Sequence, residues 1–348
     1  MKVLELAQPD AEVLYWRAFL SKKEINTNDL TPGMVFPFRP ETGEVLNQLV
    51  SKSDHWLPRY HLGLLQWSSN NIDAAKKLFD ECGNAPTYAP FYAVRAKLYE
   101  GDKALTDLQK ARELDKKEWR YGRALVNHYI LNKQFDKART TADAEYKNFP
   151  DNYVLGMLYA RTLILKKEYA NADKILSKIE VLPNEGSTIG RQLYKETKLM
   201  LAVENMKAGN CKKALQYVTD SKLWPERLGS GKPYDGDIDT RLEDWLSYEC
   251  LVKTKNSKTA KQMLDKIITY KPGKEDPQPS VNTLVTAWAL KQSGRAEEAE
   301  KLLNDIVAKN PSNKIAKWTL DAYHGNESKL DVESNESYDI LQQLMANK

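Results

Sequence analysis

The stretch AWALKQSGRAEEAEKLLNDIVAKNP, residues 287–311, carries the features that decide the fold. Small and apolar residues recur at helical spacing on both sides of Ser293-Gly294, a pair that favours a turn. Pro311 closes the stretch, because proline cannot donate to the helical hydrogen-bond ladder and clashes with the preceding turn. The stretch therefore predicts two helices joined by a short turn. The apolar stripe of the second helix consists of Ala296, Ala299, Leu303 and Ile306.

The same arrangement recurs along the chain, each time marked by an alanine. These alanines are Ala104, Ala138, Ala172, Ala214, Ala260 and Ala299. A proline follows each of the last five after eleven or twelve residues. The first three alanines lie 34 residues apart, and the later spacings are 42, 46 and 39 residues. A small side chain at a fixed place in each unit lets two helices approach closely, so the period indicates repeated helix pairs.

This pattern resembles the tetratricopeptide repeat, a helix-turn-helix unit of about 34 residues. The resemblance implies an all-α, right-handed α-solenoid of about seven helix pairs plus terminal helices. We treat residues 1–348 as a single superhelical array, with irregular leading helices over 1–55, repeats over 56–311 and capping helices over 312–348. The predicted pairs span residues 56–86, 88–115, 119–150, 153–184, 195–225, 241–272 and 280–311.

Irregular stretches between the helices carry a second resemblance. They are MVFPFRPETGEVL (34–46), APTYAPFYAVRAKLY (85–99), VLPNEGSTIGRQLY (181–194) and WPERLGSGKP (224–233). In this order they are similar to the C-terminal helical region of large bacterial proteins that place an uncharacterised β-rich domain before a tetratricopeptide array. The β-rich half of those proteins is often likened to carbohydrate-active proteins. Arg227 departs from the pattern, which has Asn at that position.

The beginning of the sequence has the pattern of a helix end, a closing Pro9 and then a new first helix. Met1 would then fall inside a repeat, so we expect this chain to be a fragment of a longer protein. The resemblance implies that the part upstream is the β-rich domain.

The composition excludes several classes of function. Lys and Arg total 52 against 48 Asp and Glu, a net charge of +4 that gives no strong field for nucleic acid or an anionic membrane. No apolar run is long enough to span a bilayer, and the first residues lack the apolar core of a signal peptide. The three cysteines are scattered and form neither a metal-ligand pattern nor a disulfide framework. These features favour a cytoplasmic location.

The stretch WPERLGSGKPYDGDIDT, residues 224–240, interrupts the helical pattern and invites three interpretations. A phosphate loop needs Ser or Thr after its Gly-Lys pair, but Pro233 follows the pair at 231–232. A calcium loop beginning at Asp235 needs Gly at its sixth position, where Thr240 stands. Thr240 and Glu243, three residues later, instead predict a capping box, with Asp239 favouring the positive helix end.

Catalytic signatures are missing from the sequence. The four histidines are scattered and none has a ligand spacing or an adjacent nucleophile. Neither Gly-x-Ser-x-Gly nor His-Glu-x-x-His occurs. We therefore expect no enzyme activity, no catalytic residue, no metal and no cofactor.

Binding by the array is the remaining class of function. Stacked helix pairs present a concave face lined by their first helices. Arg123 and Asn127 resemble the start of a carboxylate clamp, but the next first helix offers Val154 and Leu158 at the comparable places. By helical phase, the residues predicted on the concave face are Tyr60, Arg123, Asn127, Met157, Arg161, Trp245 and Trp288.

The two tryptophans of this set allow two interpretations: they stack on a peptide or a sugar, or they pack against neighbouring repeats. The irregular loops at 183–190 and 224–233 are expected to cover one edge of the array. Their candidate contacts are Glu185, Arg227 and Lys232.

The sequence thus predicts a non-catalytic scaffold that binds a peptide segment, a partner protein or the parent protein's own β-rich domain. The alternative is an accessory helical domain of a carbohydrate-binding or carbohydrate-processing bacterial protein, which helps to shape a saccharide site.

Overall fold

The computed structural model describes residues 10–33, 35–183, 187–271, 279–326, 330 and 336–346. Over these ranges the regular secondary structure is helical and contains no strand, which confirms the all-α class. The chain forms two compact units, Met1–Thr141 and Ala142–Lys348. Each unit is described separately below.

The first unit contains two leading helices and the first two complete pairs. A third pair begins in this unit, and the boundary between the units falls within its second helix. The helices are α1 (Ala11–Ser21), α2 (Pro40–Val50), α3 (Trp56–Ser68), α4 (Ile72–Glu81), α5 (Ala89–Ala96), α6 (Gly101–Leu114), α7 (Trp119–Leu131) and α8 (Phe135–Asn148).

The second unit contains the remaining four pairs and two terminal helices. The helices are α9 (Tyr153–Leu165), α10 (Tyr169–Leu176), α11 (Ile189–Lys207), α12 (Cys211–Ser221), α13 (Arg241–Lys253), α14 (Ser257–Ile268), α15 (Thr283–Gln292), α16 (Ala296–Lys309), α17 (Lys314–Tyr323) and α18 (Glu336–Met345). All seven segments predicted as helix pairs contain two helices. The first helix of the fifth pair begins at Ile189, earlier than the sequence pattern indicated.

The alanines that mark the period are buried where the helices cross. All six are at most 3% exposed. Two helices can approach this closely only where the side chain between them is small. Gly63 plays the same part in α3, because a β-carbon there would lie 2.5 Å from the Phe79 ring of α4. Pro150, Pro225 and Pro311 lie within four residues of a helix end, Pro183 lies seven residues beyond α10, and Pro272 falls outside the described residues.

The turn inside a pair has a repeated geometry. In six of the seven pairs the residue two places before the second helix has positive φ. The next residue's backbone N–H then donates to the carbonyl five residues earlier, at 2.8–2.9 Å in all six pairs. This is the Schellman arrangement that satisfies free carbonyls at a helix end. Only two of these positions are glycine; the residues are Asn70, Lys133, Lys167, Gly209, Lys255 and Gly294.

A buried ion pair fastens the second pair of the first unit. The Arg95 guanidinium donates to both carboxylate oxygens of Asp107, at 2.7 and 2.8 Å, and both residues are buried. Arg95 also donates to the backbone carbonyl of Gly83, at 2.8 Å. The Arg95–Asp107 ion pair therefore connects α5 to α6, and Arg95 also connects α5 to the chain that follows α4. A bidentate geometry with further hydrogen bonds is what a buried ion pair needs to offset its desolvation.

A second buried polar contact joins the leading helices to the first pair. The Tyr15 hydroxyl lies 2.9 Å from Nδ1 of His61, and both side chains are fully buried. Burial lowers the pKa of His61 to about 4, although the charge of Asp10 acts in the opposite direction. The imidazole is therefore neutral in the folded chain at neutral pH.

Adjacent alanines in α4 test the packing constraint, because Ala75 is buried at the helix crossing and Ala74 is exposed. We expect Ala75→Leu to lower the free energy of unfolding by about 1–3 kcal/mol through overpacking. Ala74→Leu should change it by less than about 0.5 kcal/mol. Urea unfolding followed by circular dichroism measures both values. Equal effects of the two substitutions would contradict the close approach of the helices.

The neutral His61 predicts a pH dependence of stability. The imidazole pKa rises from about 4 when folded to about 6.5 when unfolded. As the pH falls below about 6.5, the unfolded chain therefore binds a proton that the folded chain does not. Between pH 7.5 and 5 this linkage should remove about 2 kcal/mol of stability from the first unit.

Hydrogen exchange of amides in α1 and α3, corrected for the intrinsic pH dependence of exchange, measures this loss. His61→Asn keeps an acceptor for Tyr15 without a titrating group, so its stability should depend less on pH by that amount. The same pH dependence in both proteins would show that His61 does not carry the effect.

Candidate functional site

Three tryptophans of the second unit surround one cavity of about 570 Å³. Trp245, Trp288 and Trp318 come from α13, α15 and α17, where each is the fifth or sixth residue of its helix. Equivalent positions in successive first helices meet on the same surface, which explains their convergence. The remaining walls include Lys291, Gln292, Tyr323, Asn326, Gln342 and Met345. We call this space the tryptophan cavity.

The tryptophan rings belong largely to the core. The ring centroids of Trp245 and Trp288 lie 5.4 Å apart with an angle of 42° between the planes. The two residues are 2% and 8% exposed. Most of their surface therefore packs between neighbouring helix pairs, as the second interpretation held, and their remaining edges line the cavity. A role in binding remains a prediction.

Sequence reasoning missed Trp318. Its signal was available, because Trp318 takes the same place in the helix KIAKWTLDAYHG as Trp245 takes in α13. Its side chain is buried, and its indole Nε1 has no hydrogen-bond partner among the residues that the structure describes. The rim of the cavity is cationic at Lys291, whose ammonium lies 5.4 Å from the centroid of the Tyr323 ring.

The last helix, α18, lies on the same surface of the second unit. It packs against α11, the first helix of the fifth pair. Ile340, Leu341 and Leu344 are buried in the core that also contains the tryptophans. The Gln343 amide nitrogen lies 3.2 Å from the Tyr169 hydroxyl and 3.2 Å from the Met200 sulfur. The apolar side of α18 thus covers part of the surface built by the first helices.

The other concave-face candidates are dispersed over the two units. In the first unit, Tyr60 is buried in an aromatic cluster 5.5 Å from the Phe91 ring, and burial raises its pKa. Arg123 is exposed over the Trp119 ring, at 5.5 Å, and Asn127 is half-buried. In the second unit, Met157 is half-buried against the core and Arg161 is exposed. Met157 and Arg161 belong to the unit that contains the tryptophan cavity, and neither of them lines it.

The two irregular loops of the second unit pack on each other. The backbone N–H of Val181 donates to the carbonyl of Arg227 at 2.8 Å, and the Ser230 hydroxyl donates to the carbonyl of Ser187 at 2.7 Å. The Arg227 guanidinium donates to the carbonyl of Leu176, the last residue of α10, at 2.6 Å. Arg227 is therefore a structural tie at the end of α10. Glu185 lies outside the described residues.

The glycine-lysine pair of the 224–240 loop lies on the surface. Lys232 is exposed and pairs with Asp235 at 2.7 Å. The hydrogen bond and charge of Lys232 lower the pKa of the Asp235 carboxyl. Asp235 begins a short 3₁₀ turn that ends at Asp237. These contacts are local loop contacts at exposed side chains.

The predicted capping box at α13 is wrong. Thr240 does not cap the helix; its hydroxyl donates to Asp244 at 2.9 Å. Glu243 turns into the interior, where one carboxylate oxygen lies 3.1 Å from the Lys195 ammonium of α11. Asp239 instead accepts a hydrogen bond from the backbone N–H of Arg241 at 3.1 Å. Asp239, and not Thr240, therefore pairs with a free N–H at the helix start. A tertiary ion pair has displaced the local motif.

Buried charges gather around this helix start. Asp244 pairs with Lys222 at 2.7 Å and with Lys266 at 2.8 Å. Burial alone would raise the pKa of Asp244, but hydrogen bonds and charge from the two lysines lower it. The Asp239 carboxylate has the same balance, with the lowering supplied by Arg241. Both carboxylates are therefore ionised at neutral pH.

A cavity of about 380 Å³ lies beneath the 224–240 loop, beside these charges. Its functional side chains are Arg191, Lys195, Lys222, Trp224, Glu243 and Asn282. It shares no lining residue with the tryptophan cavity. The tryptophan cavity and the cavity beneath the 224–240 loop are therefore separate.

The cysteines and His324, which could act as nucleophiles or general bases, lie in positions that do not favour catalysis. Cys82, Cys211 and Cys250 are buried thiols, and burial raises the pKa of Cys82 and Cys250 to about 12. A thiol with so high a pKa is a poor nucleophile at neutral pH. His324 lies on the surface, 3.3 Å from Glu300. Across the described ranges, no three His, Cys, Asp or Glu side chains are grouped as metal ligands would be.

No family model matches the sequence, and no curated protein matches it. Among solved structures, the chain aligns with Naa15/Naa10 bound to HypK-THB at 15% identity and a TM-score of 0.47. That alignment covers 95% of this chain and 45% of the matched chain, so this chain spans less than half of that protein's length.

Two bacterial tetratricopeptide-repeat proteins are also similar. The C-terminal part of one from Cytophaga hutchinsonii aligns at 14% identity and a TM-score of 0.43, over 81% of this chain and 94% of the other. One from Parabacteroides merdae aligns at 13% identity and a TM-score of 0.45, over 77% and 98%. The helix pairs with their buried alanines, rather than these alignments, establish the tetratricopeptide-like architecture. In the described parts of the chain, no helix has the length and apolar character needed to cross a membrane.

Proposed function

We propose that this chain is a non-catalytic scaffold that holds a protein or peptide segment on the first-helix surface of its second unit. The observation that carries this proposal is the position of α18. A short amphipathic helix already lies on that surface, with its apolar side chains buried. Binding an amphipathic helix through its apolar side is a common mode of peptide recognition by helical surfaces.

The tryptophan cavity supports this proposal, because it remains open beside the end of α18. Tryptophan edges offer a large apolar contact at little conformational cost, and such residues are enriched at binding hot spots. An apolar anchor of a partner segment fits a cavity of about 570 Å³ lined by three indoles. Lys291 at the rim would favour a segment that carries an acidic residue beside the anchor.

The partner segment has two sources in this proposal. One is a separate protein. The other is the β-rich domain that the sequence resemblance implies in a longer parent chain. Either source would have to present apolar side chains to the surface, as Ile340, Leu341 and Leu344 of α18 do.

Release of α18 should make the surface available to a peptide. In the full chain, Leu341→Asp places a charge at a fully buried position and should displace α18. Lys317→Asp places the same side chain at an exposed position of α17, outside the tryptophan cavity, and is the control. A synthetic peptide of residues 336–348 should bind the Leu341→Asp chain and not the control, as measured by isothermal titration calorimetry.

The peptide itself provides the specificity test. A peptide carrying Leu344→Ala should bind about tenfold more weakly or worse, since truncation of a buried leucine costs about 2 kcal/mol or more. Circular dichroism must first show that the Leu341→Asp chain remains folded. If the folded variant binds neither peptide, α18 does not mark a peptide-binding surface and the proposal fails.

A saccharide is the second candidate ligand of the tryptophan cavity. The observation that favours it is the combination of indole edges with the amide side chains of Gln292, Asn326 and Gln342 in one cavity. Sugar rings pack on aromatic faces while amides exchange hydrogen bonds with hydroxyl groups. Binding on a glycan array that is lost with Trp288→Ala would support this candidate. An array without signal for the folded wild-type chain would count against it.

A further inference from the structure

Lysine side chains gather at one end of three successive helix pairs in the second unit. The pairs are α9–α10, α11–α12 and α13–α14, and the end is the one where the first helix turns into the second. We call residues 165–171, 206–213 and 252–259, which contain these turns, the basic edge. It has a single acidic residue, Glu168, whereas the whole chain has a net charge of only +4. Its lysines are Lys166, Lys167, Lys207, Lys212, Lys213, Lys253, Lys255 and Lys258.

The three turns lie side by side, because successive first helices are in contact. Helix α9 packs against α11, and α11 packs against α13. Lys207 at the end of α11 and Lys253 at the end of α13 line the same cavity of about 530 Å³. Since packed helices lie about 8–10 Å apart, the outer two turns of the basic edge are separated by about 20 Å.

The charge of the basic edge is not neutralised within the second unit. All of its lysines except Lys166 are exposed and have no acidic side chain at ion-pair distance in the part of the chain that the structure describes. Glu204 and Glu249 lie within one helical turn of the edge and reduce its charge without balancing it. Neighbouring like charges repel each other, and an acidic partner would relieve that repulsion.

Two lysines of the basic edge hold a backbone conformation that favours glycine. Lys167 has a φ of 61° and Lys255 a φ of 60°. The equivalent positions of the other two pairs in this unit are Gly209 and Gly294. Left-handed backbone has a steric cost for lysine that it does not have for glycine. The turn therefore gives no reason for lysine at these two positions, whereas a need for exposed positive charge does.

We propose that the basic edge binds an acidic segment of a partner protein in an extended conformation. An extended chain rises about 3.3 Å per residue, so acidic side chains two or three residues apart would meet one turn after the next. About seven or eight residues would reach from the first turn to the third. Leu165 and Val252, which are exposed on the same edge, offer apolar contacts to such a segment.

Nucleic acid and an anionic membrane fit the basic edge less well. Its three segments contain no arginine, the residue that binds phosphate with two parallel hydrogen bonds. Their one aromatic residue, Tyr169, is buried, so no ring is available to stack on a base. Leu165 and Val252 are single exposed residues and do not form the continuous apolar face of a membrane-binding helix. An acidic polypeptide needs neither feature.

Fluorescence anisotropy on the full chain tests the proposal. The probe is a labelled peptide of alternating glutamate and serine, about eight residues long, and the matched peptide has glutamine in place of glutamate. We expect the acidic peptide to bind and the glutamine peptide not to bind. Raising the salt from about 50 to 200 mM should weaken the binding about threefold or more, because exposed charges are screened.

Two double variants place the binding on the basic edge. Lys167→Gly with Lys255→Gly should weaken binding about threefold or more, because it removes two exposed charges. It should not lower the melting temperature measured by circular dichroism, since glycine occupies the equivalent turns. Lys309→Gln with Lys314→Gln removes the same charge where α16 leads into α17, at the opposite end of the helices. This control should leave binding unchanged.

Several results would overturn the proposal. These are no binding of the acidic peptide, and equal weakening by the two double variants. Tighter binding of a thymidine oligonucleotide of the same charge, or of phosphatidylglycerol vesicles, would show that the edge serves another class of partner. The wild-type chain retains α18 in place, and the peptide of residues 336–348 is tested on another surface. Failure of this proposal and failure of the proposed function are therefore distinguishable.

Discussion

Close approach of paired helices is the constraint on which both units depend. Each pair buries an alanine or a glycine at its crossing, and the larger side chains around it interlock at the distance that this small residue sets. A short turn with one left-handed residue fixes the second helix relative to the first. All seven pairs bury the small residue and six of them share this turn, so the core of each unit is a series of contacts between chain neighbours. The surface of the first helices is a consequence of that packing.

The sequence predicts the helix pairs well because their determinants are local. Helical spacing of apolar residues, a turn signal and a closing proline all act within about 34 residues. The same locality explains what could not be predicted. Gln343 meets Met200 across 143 positions in the chain, and no periodicity links the two segments. Helical phase likewise does not decide whether Trp245 and Trp288 are buried, because it gives the direction of a side chain but not the residues that pack against it.

The failed capping box shows how tertiary contacts override a local motif. Thr240 and Glu243 have the spacing of the motif, which stabilises a helix start by about 1 kcal/mol. In the folded chain Glu243 is instead buried against Lys195, and Thr240 bonds to Asp244. Leaving a buried carboxylate without its cationic partner costs more free energy than losing an exposed helix cap. Short motifs near a cavity are therefore less reliable guides than the same motifs on an open surface.

The departures from the 34-residue period coincide with the features that distinguish this chain from a plain repeat array. The alanine spacings lengthen to 42 and 46 residues on either side of Ala214. The loops that contain Val181 and Arg227 lie within these longer spacings and bond to each other through these two residues. A regular array of short turns has no segment that could cover a helix start in this way. The longer spacings therefore give the second unit the cavity beneath the 224–240 loop, while the regular spacing of the first helices gives it the aromatic one.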